Sequence, residues 1–238
     1  MKNSLKISIY ILGLYMLAGC HDITTDGVTF VTNYVTIEIL GEQETIIELG
    51  NNYVDAGVIA TEGDKDVTGS VVSKSNVNEN EPGFYEVTYS AVNVDGFPAS
   101  VTRTVIVYNP AITTDLSGEY LTVSGTHRLT FATGATVAYS GYPVVIEQYL
   151  PGIFYVSDLF GGYYYPRLEA SGYSPIHTMT GYISLVSDNT IKLCSSHVAG
   201  WGDGLDDLAD GIYDPVTGQI TWGAEYASLF SFNLVLKK

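Results

Sequence analysis

The chain is poor in cysteine and in positive charge. Of its 238 residues two are cysteine, and ten Lys and Arg stand against 26 Asp and Glu, for a formal net charge of −16. That balance repels phosphate backbones and anionic lipid, so nucleic acid is not an expected partner, and an uncharged or cationic one is easier to accommodate. The common catalytic patterns are missing too: there is no G-x-S-x-G, H-E-x-x-H, P-loop or C-x-x-C. The stretch "GWGDG" at 200–204 lacks the spacing and the following helix of a dinucleotide site. His21, His127, His177 and His197 are scattered without ligand spacing, so no metal or other cofactor is expected. A glycosidase needs two facing carboxylates; Glu147 with Asp158, or Asp206 with Glu225, are pairs that nothing in one sequence selects. The expectation is a protein that is not an enzyme.

What the chain does have begins at its N-terminus. Lys2 and Lys6 precede the apolar run "ISIYILGLYM", too short to span a bilayer, and Leu17, Ala18 and Gly19 lead into Cys20. These four positions resemble a bacterial lipobox. The resemblance implies a signal peptide over residues 1–19, cleavage before Cys20, and acylation of that cysteine as a membrane anchor. Cys194 is then left without a disulfide partner; it reads as a small buried hydrophobe, a nucleophilic role needing a base that the sequence does not show. Residues 20–34, polar and Thr-rich at first, read as a lipidated tether.

From residue 35 the pattern has the two-residue period of strands. In "FYEVTYSAV", Tyr85, Val87, Tyr89 and Ala91 alternate with Glu86, Thr88 and Ser90, and "SVTRTVIVY" follows after a turn at Asp95-Gly96. Strands also fit "TIEIL" and "TIIEL", which makes residues 35–109 an antiparallel sandwich of Ig size. Gly50, Tyr53, Val54, Asp55, Ala56, Gly57 and Val58, then Pro82-Gly83, Tyr85, Tyr89 and Arg103-Thr104-Val105, are similar to an Ig-like module of Bacteroidetes surface lipoproteins. That resemblance implies a spacer or presenting module. Asp55, Asp64 and Asp66 are open to two readings, turn caps or a calcium site.

Asn109-Pro110 and a polar stretch break the pattern, and a second domain is expected over residues 117–238. Its candidate strands are "GEYLTVSG", "RLTFAT", "PVVIEQYL", "GIFYVSD", "TGYISLVS", "NTIKLCSS", "QITWGAEY" and "FSFNLVLK". Tight connections at 151–152, 187–189 and 214–218 favour an antiparallel meander that closes into a barrel-like, lipocalin-like domain; "LDDLAD" fits at most one helical turn. The fold class is thus all-β. The features "YVSD" with Gly161-Gly162-Tyr163-Tyr164, "GYISLVSDNTIKL", "GWGDGL" and "YDPVTGQITW" resemble the Tyr-rich C-terminal domain that accompanies the Ig-like module in that lipoprotein group. The group is associated with SusC/SusD-type uptake systems. The resemblance implies an outer-membrane lipoprotein facing the cell exterior, an accessory to a TonB-dependent transporter and its substrate-binding lipoprotein, with a glycan or oligopeptide as ligand.

Aromatic rings suit such a ligand, because sugar C–H faces stack on them and Tyr and Trp add a polar tip. Tyr163, Tyr164 and Tyr165 are consecutive; in an extended strand Tyr163 and Tyr165 share one face and Tyr164 takes the other, so they are either platform or wall. Trp201, in a Gly-rich loop, is the best candidate for exposure, whereas Trp222 reads as core. Asp203 and Asp158 are the candidate acceptors for ligand hydroxyl or amine hydrogens. The acidic stretch holding Asp203, Asp206, Asp207, Asp210 and Asp214 lacks EF-hand spacing and reads as a solvated loop, with calcium as the other reading.

Overall fold

The structure is a computed structural model that describes residues 31–238; the signal segment and Cys20 lie outside the described residues. Val35 to Lys238 form one compact unit. It is almost wholly β-structure, its only helices among the described residues being 3-10 turns.

The first part is an Ig-like sandwich. One sheet joins β1 (Val35–Ile39), β3 (Val58–Glu62) and β4 (Lys65–Asp66). The other runs β2 (Glu44–Glu48), β7 (Pro98–Tyr108), β6 (Gly83–Val92) and β5 (Val72–Ser75), with β2 parallel to β7. Val35, Ile37, Ala60, Val87, Tyr89, Ala91 and Val105 fill the space between, as the alternation on β6 requires. The residues that carry the Ig-like pattern meet at Arg103, whose side chain is only 2% exposed. Its guanidinium donates to Asp55 Oδ1 at 2.5 Å, to the Tyr53 hydroxyl at 3.3 Å and to the carbonyls of Glu42, Leu40 and Gly57. Asp55 also accepts from the Tyr89 hydroxyl and from Gly57 N–H. Burial alone raises the Asp55 carboxyl, but these hydrogen bonds and the Arg103 charge outweigh it and hold it below the usual carboxylate range. Asp55 is therefore an ion-pair partner and Asp66 a turn cap on Thr68 N–H.

The second part is one antiparallel sheet, curled into a half-barrel. Its strands are β8 (Gly118–Thr122), β9 (His127–Thr130), β10 (Thr136–Ala138), β11 (Pro143–Leu150), β12 (Ile153–Val156), β13 (Thr180–Leu185), β14 (Ile191–His197), β15 (Asp207–Asp214), β16 (Gln219–Tyr226) and β17 (Phe230–Lys237). The expected meander runs over β11 to β14 and over β15 to β17, which pair in sequence, but is broken before them: β8 pairs with β11 and β17, and β9 with β10 and β17. The edges of β14 and β15 approach at one point, where Thr190 bridges Ile212 and Tyr213 N–H donates to Asn189 O at 2.9 Å. Turns at 151–152, 187–190 and 215–218 join the paired strands, with Gly152, Asn189 and Gly218 at positive φ. Two further expectations are corrected. From Asp207 on, the "LDDLAD" segment belongs to strand β15, because pairing with β16 outweighs the poor β-propensity of its aspartates, and Asp210 takes φ 51 at the irregularity between Ala209 and Ile212. The short β10 was not anticipated; it forms by pairing with β9.

The two parts touch through aromatics. Phe84 of β6 lies 4.9 Å from the Tyr182 ring, which packs edge-on against Tyr149 and Tyr155. The Tyr149 hydroxyl donates to Glu44 at 2.8 Å, and Lys192 pairs with Glu81 at 2.5 Å. These contacts gather at the start of β6, near Phe84; the turn after Val92 lies at its other end, about 30 Å away at ordinary strand rise.

Candidate ligand-binding site

The connection from β12 to β13 carries the tyrosine run and packs into the curled sheet. Asp158 ties its ends together: Oδ1 accepts from Phe160 N–H and Met179 N–H, each at 3.0 Å, and Oδ2 from Gly162 N–H at 2.7 Å. Burial pushes this carboxyl up to about 7, against the three N–H groups, which favour its charged form. Asp158 is 4% exposed, and its two oxygens are engaged by these three N–H groups of the loop.

The next residues turn rather than extend. Gly161 and Gly162 take φ of 61° and 81°, and a Cβ on Gly162 would stand 2.3 Å from Tyr142 Cβ, so only glycine fits. Arg167 N–H and Leu168 N–H then reach back to Gly162 O and Tyr164 O. The alternation expected for Tyr163 to Tyr165 therefore fails for want of a strand. Tyr163 and Tyr164 are both buried, at 4% and 8% exposure, among Phe160, Phe232 and Tyr139, and belong to the wall. Trp222 Nε1–H donates to Leu159 O and the Tyr139 hydroxyl to Phe160 O, which fixes the loop to the sheet. Tyr165 is half-buried and lines a cavity of about 380 Å³ with Asp158, Pro143, Ser157, Pro166 and Thr178.

Trp201 stands at the turn between β14 and β15. Val198 bridges Asp203, Trp201 N–H and Gly202 N–H return to Val198 O, and Gly202 takes φ 77 at the tip. Gly200 N–H donates to Ile176 O at 2.7 Å, which joins this turn to the tyrosine loop. The Trp201 ring, 39% exposed, stacks on Tyr226 with centroids 5.7 Å apart. Tyr164 meets it edge-on at 4.8 Å and His177 at 5.2 Å, with Tyr173 beyond at 6.3 Å. The Tyr226 hydroxyl donates to both oxygens of exposed Asp203, at 3.1 Å each, and its own ionisation is pushed well up, by burial first and by that carboxylate second.

The structure thus brings Trp201, Tyr164 and Asp203 together, sets Tyr163 behind Tyr164 in the wall, and places Asp158 and Tyr165 on a separate cavity. Sequence reasoning missed Tyr226, Tyr173 and His177. Tyr226 was within reach, since it shares a face with Trp222 and Ala224 in "WGAEY". No group of three His, Cys, Asp or Glu suited to a metal occurs among the described residues. The acidic side chains are engaged singly: Asp206 accepts from Ser228 and Asp214 from Val216 N–H and Thr217. Burial pushes the Cys194 thiol up to about 12, so it is not a ready nucleophile. A cavity of about 570 Å³ opens at the junction of the two parts, lined by Asn78, Asn80, Asn109, Asp188 and Lys192, and shares no residue with the Trp201 cluster.

Two family models match successive stretches of the chain. Residues 37–107 match the family described as a bacterial surface protein, Ig-like domain, and residues 109–238 match a C-terminal domain family. A lipoprotein from Bacteroides thetaiotaomicron, known from its crystal structure, is 40% identical over 86% of this chain and 100% of its own, with a TM-score of 0.48. The CBM51-2 and INT domains of Clostridium perfringens ZmpB, solved in complex with GlcNAc, are 19% identical over 51% of this chain and 31% of that one. Their TM-score of 0.28 carries no argument. No curated protein matches the sequence.

Proposed function

The chain belongs to the same family as the Bacteroides thetaiotaomicron lipoprotein, and on that premise we propose that it is a non-catalytic lipoprotein of the outer membrane, facing the exterior and anchored through Cys20. Its C-terminal domain binds a nutrient, a glycan or an oligopeptide, as accessory subunit of a TonB-dependent transporter and its substrate-binding lipoprotein. The Ig-like domain holds that C-terminal domain away from the membrane.

The observation that carries the ligand reading is the half-exposed Trp201 ring, braced by Tyr226 and Tyr164 beside the exposed carboxylate of Asp203. A ring held on two sides loses little freedom when a sugar face or a peptide side chain stacks on it, and a carboxylate at its edge accepts hydroxyl or amine hydrogens. Titration with neutral oligosaccharides and with short peptides, wild type against Trp201→Ala, tests it. One observation favours a second reading, docking on the transporter without a free ligand: Ile176, 55% exposed, adjoins the Trp201 turn and widens the apolar surface there.

A further inference from the structure

The turn between β6 and β7 holds apolar side chains outward at one end of the Ig-like domain. Ala91 and Asn93 point inward, whereas Val92 and Val94 are 61% and 80% exposed and Phe97 is 46% exposed. The turn is rigid. Asn93, itself 5% exposed, donates its N–H to Phe97 O at 3.0 Å, accepts Phe97 N–H on Oδ1 at 2.7 Å and accepts Gly96 N–H on its carbonyl at 3.0 Å.

Register places this turn at the end where the domain begins. Val35 pairs with Glu62, and the Glu62 carboxylate accepts Val94 N–H at 3.1 Å. The C-terminal domain packs at the opposite end of β6, on Phe84 and Glu81. We propose that the Val92–Phe97 turn rests in the interface of a neutral lipid bilayer, so that the Ig-like domain stands on it and carries the C-terminal domain outward. The proposal rests on the lipid-anchor reading of Cys20.

A tether over residues 20–34 spans at most about 50 Å fully extended, which keeps the turn at high effective concentration near the surface. Three apolar side chains are too few to hold a protein on a membrane alone; beside an anchor they need only set its orientation. Asp95 lies in the turn, Glu62 ends β3 and Asp64 lies in the β3–β4 connection, against the cation Lys65 that opens β4, so an anionic surface opposes the contact and a neutral one admits it.

The test uses the full lipidated chain in phosphatidylcholine vesicles, in a Cys194→Ser background. An environment-sensitive dye is attached at Val94→Cys, or at Val216→Cys in the C-terminal domain, where Val216 is 91% exposed. Quenching by spin-labelled acyl chains is expected to be about threefold or more stronger at position 94 than at 216, and to fall when phosphatidylglycerol replaces half the lipid at low salt. Equal, weak quenching at both positions on vesicle-bound, acylated protein overturns the proposal and leaves the anchor standing. Protein that carries no lipid by mass spectrometry and stays off the vesicles overturns the anchor, and the proposal with it.

Discussion

Trp201 lies against Tyr226, the planes of the two rings 29° apart, while the same Tyr226 hydroxyl holds the Asp203 carboxylate. The exposed ring and the nearby acceptor are therefore one braced assembly. Trp201→Ala should weaken ligand binding by about 1–3 kcal/mol. Because more than half of the ring is buried, it should also cost about 1–2 kcal/mol of stability, more than an unsupported loop residue would. Tyr226→Phe keeps the stack and releases Asp203, so in calorimetric titration it should lose less affinity than Trp201→Ala.

Gly162→Ala tests the packing of the tyrosine loop. The added methyl meets Tyr142 at a backbone conformation that alanine resists, so a loss of roughly 2–4 kcal/mol is expected. Urea unfolding followed by near-UV circular dichroism checks it, and an unchanged midpoint would mean that the loop is not locked to the sheet.

Asp158 gives the C-terminal domain a pH dependence of its own. Its carboxyl is raised by burial to about 7, above the unfolded value near 3.9, so the folded state holds the extra proton between those limits. The stability this group contributes is full below about pH 4 and is lost as pH rises through 7. Asp158→Asn should flatten that slope but lower stability, since its amide nitrogen cannot accept the N–H held by one carboxylate oxygen, and Asp158→Ala, which strands all three backbone N–H groups, should destabilise further at every pH. Thermal melts at pH 5 and 8 separate the two.

Arg103 is buried while its partner Asp55 is one-third exposed, so loss of Asp55 leaves a buried guanidinium short of its counter-charge. Arg103→Lys cannot keep donors on Asp55, Tyr53, Glu42, Leu40 and Gly57 together, and should destabilise the Ig-like domain by about 2–4 kcal/mol. Asp55, held below the usual carboxylate range, stabilises above the unfolded value and loses that contribution as pH falls. Acid unfolding of Asp55→Asn should accordingly be shallower than that of the wild type.

The strands were legible where alternation and turn chemistry agreed. On β6 and β7 the apolar face reads directly from Tyr85, Val87, Tyr89 and Ala91, and Pro151-Gly152 marks the β11–β12 turn. Strand β15 was not legible, because "DLADGIYD" has the composition of a loop and only its partner β16 makes it a strand. At the site, Trp201 was legible from its glycine setting. The burial of Tyr163 and Tyr164 was not, since it depends on two consecutive left-handed glycines and on a carboxylate that bonds N–H groups up to 21 residues away.

The account's central claim is that the Trp201 face of a membrane-anchored chain binds a nutrient within an uptake complex. Affinity purification of the tagged, full-length protein from native membranes, wild type beside Trp201→Ala, tests it most directly, with bound glycan, peptide and protein identified in each. The account predicts a TonB-dependent transporter with both forms, and a glycan or oligopeptide retained about tenfold or more better by the wild type. Equal recovery of such a ligand with both forms, or recovery of none with the wild type, would contradict it.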